Sequence, residues 1–201
     1  MVVVKYINQR DYPHWLYVTR TDLEGEAKES GKTTTVFTSA CGLCSAIMVA
    51  DRLIPNCDFD LKQAIDLSYD VKANYRYGTS YIRYAPAFAE KLGLRYENAK
   101  TIEEARNCLL TGGAVVALVA GDRPEGVGLF SHCEHYVTLI GYEADGRLVV
   151  LDPYLYDGKF EEPGREGKVE LKYGVMALCK EEDLAADVFK KSPPYHLFWR
   201  K

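Results

Sequence analysis

The chain has 201 residues, enough for one domain with a real hydrophobic core. Hydrophobic residues make up 47% of it and charged residues 27%, a balance that excludes an intrinsically disordered protein. Lys and Arg total 25 against 29 for Asp and Glu, and they form no basic stripe. The composition therefore also excludes the charge pattern of a nucleic-acid-binding protein.

The apolar run at the start of the chain, Val2–Val4, is too short for the core of a signal peptide. No later apolar run is long enough to span a membrane. We therefore expect a cytoplasmic protein, although a trimmed secreted protein would give the same pattern. The cysteines are too sparse for a disulfide scaffold, and we expect free thiols in a reducing compartment. They are Cys41, Cys44, Cys57, Cys108, Cys133 and Cys179.

The first half of the chain carries helical signals. Apolar residues at helical spacing predict a helix over about 43–54, with Thr38 or Ser39 as its cap and Pro55 after its end. Apolar residues on a second face predict that this helix is buried nearly all round. Three more helices are expected over about Asp60–Tyr69, Ser80–Leu92 and Ile102–Leu110.

The second half carries mainly strand signals, and Asp145-Gly146 predicts a hairpin turn. Strands are expected at Ala114–Ala120, His135–Tyr142, Arg147–Asp152, Lys168–Leu178 with a break at Gly174, and Tyr195–Trp199, with a helix at Glu181–Lys190. Helices followed by an antiparallel sheet indicate the α+β class. We expect one domain over residues 1–201, helical to about residue 112 and a sheet from about residue 113.

Cys41 stands where a polar loop turns into the apolar helix. A thiol at that point lies against the positive end of the helix dipole, which lowers a cysteine pKa. Cys41 is therefore a candidate nucleophile.

His135 and Asp152 form the second candidate pair. If the hairpin loop is the four residues 143–146, Asp152 lies opposite Val137, on the same face as His135 and diagonal to it. Diagonal neighbours are about 7–8 Å apart at the backbone, within reach of their side chains. A two-residue loop would instead place Asp152 opposite Leu139.

These residues suit acyl transfer. Cys41 would attack a carbonyl as its thiolate, His135 would protonate the leaving group, and Asp152 would orient His135. The oxyanion needs a fixed donor, either the Cys41 backbone N–H or the side chain of Gln9.

Four segments carry a likeness to a known family. They are Tyr6–Gln9, Ala40–Met48, Gly78–Ser80 with Lys91–Leu94, and Glu134–Tyr142 with Gly146 and Val150–Pro153. In these segments the chain resembles the papain-like cysteine peptidases, and in particular stand-alone relatives of the bacteriocin-processing, double-glycine-leader peptidase family.

The resemblance implies a bacterial protein with a papain-like fold, in which the nucleophile helix packs on a C-terminal antiparallel sheet. It also implies a Cys41-His135-Asp152 triad, Gln9 in the oxyanion hole, a peptide or protein substrate, and no metal or cofactor. The chain departs from the family at Ala40, Leu43 and Cys44, where glycine, proline and threonine are usual.

Two alternatives come from other classes. Cys41-x-x-Cys44 has the spacing of a redox motif or half a zinc site, and His132, Cys133 and His135 could complete a zinc ligand set. Neighbouring residues on a strand point to opposite faces, which disfavours zinc, and no βαβ unit brackets the motif, which disfavours redox chemistry. The other alternative is a catalytically silent papain-like module that binds a peptide.

Overall fold

A computed structural model describes residues 5–19, 34–75, 78–190 and 193–201. The start of the chain at Val2–Val4 and most of the polar stretch that follows Thr19 lie outside the described residues. The helices of the described part are α1 (Val36–Ser39), α2 (Cys41–Leu53), α3 (Leu61–Asp70), α4 (Tyr81–Lys91), α5 (Ile102–Leu110) and α6 (Glu181–Asp187). The strands are β1 (Asn74–Tyr75), β2 (Gly78–Thr79), β3 (Leu94–Ala99), β4 (Ala114–Val119), β5 (His135–Tyr142), β6 (Leu148–Leu151), β7 (Val169–Lys172), β8 (Met176–Cys179) and β9 (Tyr195–Arg200).

Helix α2 is buried nearly all round, as its apolar residues on two faces predict. The expected cap is wrong. Thr38 and Ser39 belong to α1, and Ala40 precedes α2 without a side-chain cap. The reason is local, because the Thr38 hydroxyl accepts a hydrogen bond from the Thr35 N–H at 3.0 Å and so helps to close the earlier turn.

The α+β class is confirmed. A seven-stranded antiparallel sheet in the described residues has the order β3-β9-β4-β5-β6-β8-β7. Strand β3 was not expected from the sequence, because its side chains are mostly exposed. It pairs with β9 near the end of the chain, so the sheet takes one strand from the part that was expected to be helical.

The sheet separates two hydrophobic clusters. One contains α2, α3 and α4, and the other contains the buried residues of α5 and α6. Helix α2 packs directly on β5 and β4. No helix in the described part of the chain combines the length and the apolar character needed to cross a membrane.

The hairpin β5–β6 contains a bulge. Tyr142 pairs with Leu148, so the turn spans residues 143–147 and is neither the four-residue nor the two-residue loop considered from the sequence. Beyond an irregularity between Leu139 and Gly141, the pairing shifts by one residue. Gly141 has a φ of +146°, a conformation that favours glycine. Near His135 the strands therefore pair as they would with a four-residue loop, and Asp152 comes to lie beside Val137.

Candidate active site

Cys41 is the first residue of α2 and is partly exposed. Burial raises the pKa of its thiol, but a hydrogen bond with His135, the charge of His135 and the N–H groups of Tyr136 and Gly42 outweigh that effect and lower the pKa below its ordinary value. Two contacts hold α2 against the start of β5. The Thr138 hydroxyl donates to the Ser45 carbonyl at 3.2 Å, and the Ser45 hydroxyl donates to the Tyr136 carbonyl at 3.4 Å.

His135 is buried at the start of β5, and its Nε2 lies 2.8 Å from Oδ1 of Asp152. Nε2 is occupied, so Nδ1 is the ring nitrogen left for Cys41. Burial lowers the pKa of His135, but the Asp152 carboxylate and the hydrogen bond with Cys41 raise it overall to about 9. A positively charged imidazole beside a thiol of lowered pKa is the arrangement of a thiolate–imidazolium pair.

The bulge decides which face of the hairpin Asp152 occupies. Leu151 pairs with Thr138, which places Asp152 next to Val137, on the face of His135. Had the pairing at the turn, Tyr142 with Leu148, continued unchanged, Asp152 would lie opposite Thr138 and point to the other face. The contact between His135 and Asp152 therefore depends on the bulge.

Lys159 is a partner of Asp152 that sequence reasoning missed. Its Nζ lies 2.5 Å from Asp152 Oδ2 and donates to the Tyr154 carbonyl at 2.9 Å. The side chains of both ion-pair members are almost fully buried, with 2% of Lys159 and 1% of Asp152 exposed. Asp152 Oδ1 also accepts the Tyr154 N–H at 2.8 Å, so both carboxylate oxygens are held.

In this pair, each charge favours the ionised form of its partner. Burial alone would raise the pKa of Asp152, but Lys159 and His135 lower it well below its usual range. Burial lowers the pKa of Lys159, and the attraction of Asp152 opposes that effect only in part. Asp152 is therefore an anion shared between two cations, and these contacts fix its position. The sequence does not mark Lys159 as a partner of Asp152, because the lysine stands seven residues later in a segment without a recognisable motif.

Gln9 is buried in a 3₁₀ turn, Gln9–Asp11, that forms hydrogen bonds to two segments of the site. Its N–H donates to the Pro153 carbonyl at 2.8 Å, and its Nε2 donates to the Phe37 carbonyl at 2.6 Å. Gln9 thereby connects the segment after Asp152 with the segment before Cys41. Nε2 has a second N–H, which that bond leaves available.

Gly42 allows the surroundings to close tightly on the Cys41 end of α2. A Cβ at this position would lie 3.0 Å from Thr79 Cβ, 3.0 Å from Tyr81 Cε2 and 3.2 Å from Tyr136 Cδ2. The Tyr81 hydroxyl donates to the Gly42 carbonyl at 3.0 Å. A larger residue after Cys41 would therefore force these neighbouring side chains to shift.

The ligand set considered for zinc is not brought together. Cys44 is fully buried in the core, and burial raises its thiol pKa. His132 bonds instead to Asp122 at 2.9 Å and to Glu162 at 3.2 Å. The described residues contain no group of three or more His, Cys, Asp or Glu side chains placed to share a metal ion.

Comparison with known proteins supports the same fold. Residues 3–176 match the sequence model of the Peptidase_C39 like family. Two solved structures are similar. The peptidase domain of Streptococcus ComA, a bifunctional ABC transporter involved in a quorum-sensing pathway, is 15% identical with a TM-score of 0.50, over 80% of this chain and 91% of that one. A C39-like peptidase from Bacillus anthracis is 14% identical with a TM-score of 0.55, over 100% of this chain and 96% of that one.

No curated protein matches the chain. At these identities the two structural likenesses establish a papain-like peptidase fold, and the match of the family model over most of the chain establishes its membership. The chain belongs to the Peptidase_C39 like family.

Proposed function

We propose that the protein is a cysteine peptidase that hydrolyses a peptide bond through a Cys41-His135-Asp152 triad. The Cys41 thiolate attacks the substrate carbonyl, and His135 transfers its proton to the leaving amine, which departs and leaves an acyl-enzyme. His135 then takes a proton from water, whose oxygen attacks the thioester and releases the acid. The observation that carries the proposal is His135 held by Asp152 at 2.8 Å beside a thiol whose pKa it lowers.

Gln9 and the start of α2 are the proposed oxyanion donors. The second N–H of Gln9 Nε2 and the Cys41 backbone N–H supply two donors for the charge that develops on the carbonyl oxygen. The buried Gln9 side chain is anchored by its bond to Phe37, so the donor is oriented before a substrate arrives.

The departures from the usual family residues do not remove a group that this chemistry uses. Ala40, Leu43 and Cys44 are all fully buried. Their side chains therefore affect packing beneath the site and not the surface that meets a substrate. This favours a peptidase over the silent binding module, which has no use for a nucleophilic thiol.

Cys41 should be alkylated by iodoacetamide at pH 7 about tenfold faster than the exposed Cys133. An ordinary thiol is only a few per cent ionised at that pH, whereas a thiol of lowered pKa is ionised to a greater extent, and its lower intrinsic nucleophilicity offsets part of the gain. Site-resolved mass spectrometry over a time course measures both rates in one sample.

Three variants make this test specific. Cys133→Ser should keep the fast reaction, and Cys41→Ala should remove both it and peptide hydrolysis. His135→Ala should slow the alkylation of Cys41. If Cys41 reacts no faster than Cys133, the protein is not a cysteine peptidase of this type.

Hydrolysis and alkylation should differ in their dependence on pH. Both rise as the pH passes the lowered pKa of Cys41, because both need the thiolate. Above pH 9, His135 loses the proton that the leaving amine requires, so hydrolysis should fall while alkylation stays on a plateau. Rates measured from pH 5 to 11 test this, and parallel curves would contradict the assigned role of His135.

A further inference from the structure

We propose that Arg10 and the aromatic rings around it form a carboxylate-binding subsite on the leaving-group side of the active site. The substrate class would be peptides with a carboxylate within the first two residues after the scissile bond. That carboxylate is either an acidic side chain or the free C-terminus of the peptide. This inference rests on the peptidase function proposed above.

Three aromatic rings hold the Arg10 guanidinium. Its Cζ lies 4.9 Å from the ring centre of Tyr156, 5.3 Å from that of Tyr154 and 6.0 Å from that of Phe37. The rings also contact one another, with centres 5.6 Å apart for Phe37 and Tyr154 and 6.1 Å apart for Tyr154 and Tyr156. A guanidinium held by rings is pre-organised, because its planar fork of donors stays available for a carboxylate.

Arg10 has no anionic partner in the part of the chain that the structure describes. No carboxylate there forms an ion pair with it, and its side-chain N–H groups make no hydrogen bond to another described residue. Other arginines are paired, namely Arg106 with Glu181, Arg147 with Glu170 and Arg165 with Glu162. Arg10 is partly buried, and the described residues leave the five donors of its guanidinium for water or for a bound anion.

The position of Tyr154 places this cation on the leaving-group side. His135 gives its proton to the leaving amine, so that half of the substrate passes beside the His135 ring. Tyr154 packs against that ring, with centres 6.4 Å apart, and Arg10 lies on Tyr154. A strand rises about 3.3 Å per residue, so two residues beyond the scissile bond reach the level of Tyr154, whose ring centre is 6.4 Å from that of His135. The carboxylate of a side chain or of a free C-terminus would extend from there toward Arg10.

A second cation lies near the same rings but is already neutralised. Lys159 Nζ is 5.7 Å from the ring centre of Tyr154 and 5.5 Å from that of Tyr156, but it forms the buried ion pair with Asp152. Arg10 is therefore the cation that a substrate carboxylate would meet.

The test compares cleavage of a synthetic peptide library by the wild type, Arg10→Gln and Arg10→Lys. The library is made in two forms, with a free C-terminal carboxylate and with a C-terminal amide, and mass spectrometry identifies the cleaved bonds. The control is Arg147→Gln, which makes the same charge change in the turn between β5 and β6. The two forms separate a terminal carboxylate from an acidic side chain as the source of the preference.

The wild type should cleave bonds followed within two residues by a carboxylate about tenfold faster than the matched Asn, Gln or amide peptides, as a charge-assisted hydrogen bond allows. Arg10→Gln should lose this preference while it cleaves neutral peptides at the wild-type rate. Arg10→Lys should keep part of the preference, and Arg147→Gln should keep all of it.

Two results would overturn the subsite. One is a wild type without preference for carboxylates. The other is an Arg10→Gln variant that cleaves acidic and neutral peptides with an equal loss of rate, because Arg10 would then only support the position of its neighbour Gln9. In both cases Cys41 remains reactive and peptides are still cleaved. Failure of the proposed function differs, because Cys41 would then react no faster than Cys133 and no peptide would be cleaved.

Discussion

Replacement of His135 by alanine should reduce peptide hydrolysis by about 1,000-fold or more, the loss that follows removal of the acid–base member of a nucleophilic triad. The variant lacks the proton donor for the leaving amine, and Cys41 loses the charge that lowers its pKa. Steady-state rates on a cleaved library peptide, with thermal unfolding as a check of folding, measure the effect.

His132→Ala is the matched control for this variant. His132 is exposed, lies three residues before His135 and bonds to Asp122 and Glu162 outside the site. Its loss should change the rate by no more than a few fold. Equal losses in the two variants would show that the loop before β5, and not the imidazole of His135, supports the activity.

Replacement of Lys159 by methionine should lower the free energy of unfolding by about 3 kcal/mol, near the lower end of the cost of breaking a buried ion pair. The lower end applies because His135 still faces Asp152 at 2.8 Å. The pair contributes most above the ordinary pKa of a carboxyl group, about 3.9, because the lowered pKa of Asp152 keeps it ionised there. Its contribution is lost as the pH falls through that lowered pKa, so urea unfolding at pH 7 is the suitable measurement.

Lys172→Met provides the comparison for the lysine. Its ion pair with Glu143 is 3.0 Å long but partly exposed, and such pairs contribute about 1 kcal/mol or less. A double variant, Asp152→Asn with Lys159→Met, should recover part of the lost stability because the uncompensated buried charge is gone. If Lys159→Met costs no more than Lys172→Met, Lys159 does not stabilise Asp152.

The fold was predictable where a single periodic pattern decides the outcome. Apolar residues recur at helical spacing along α2, and the central strand β4 is a continuous apolar run, so no competing pattern exists for them. The edge strand β3 escaped prediction because pairing with β9, more than 90 residues later, defines it and its own polar sequence does not. The cap of α2 was misplaced because two threonines close an earlier turn.

The candidate site was predictable in its residues but not in its geometry. Cys41, His135 and Asp152 carry chemistry that marks them, and Gln9 was a candidate as a side-chain amide upstream of Cys41 that could donate to an oxyanion. The bulge before Gly141, on which the register of Asp152 depends, has only that glycine within a strand as its sequence signal. Lys159 and Arg10 escaped because their contacts are tertiary, and a lone basic residue in a loop is usually solvated.

The bulge also separates two parts of the hairpin that can vary independently. Its pairs near Asp152 are held by buried residues such as Leu139 and Val150, while the turn at 143–147 lies on the solvent side of the irregularity. Relatives can therefore lengthen, shorten or decorate that turn without moving the carboxylate away from the imidazole. Deletion of Ile140, the extra residue of the bulge, would make the ladder regular but would still pair Leu139 with Val150, so Asp152 would keep its place beside Val137.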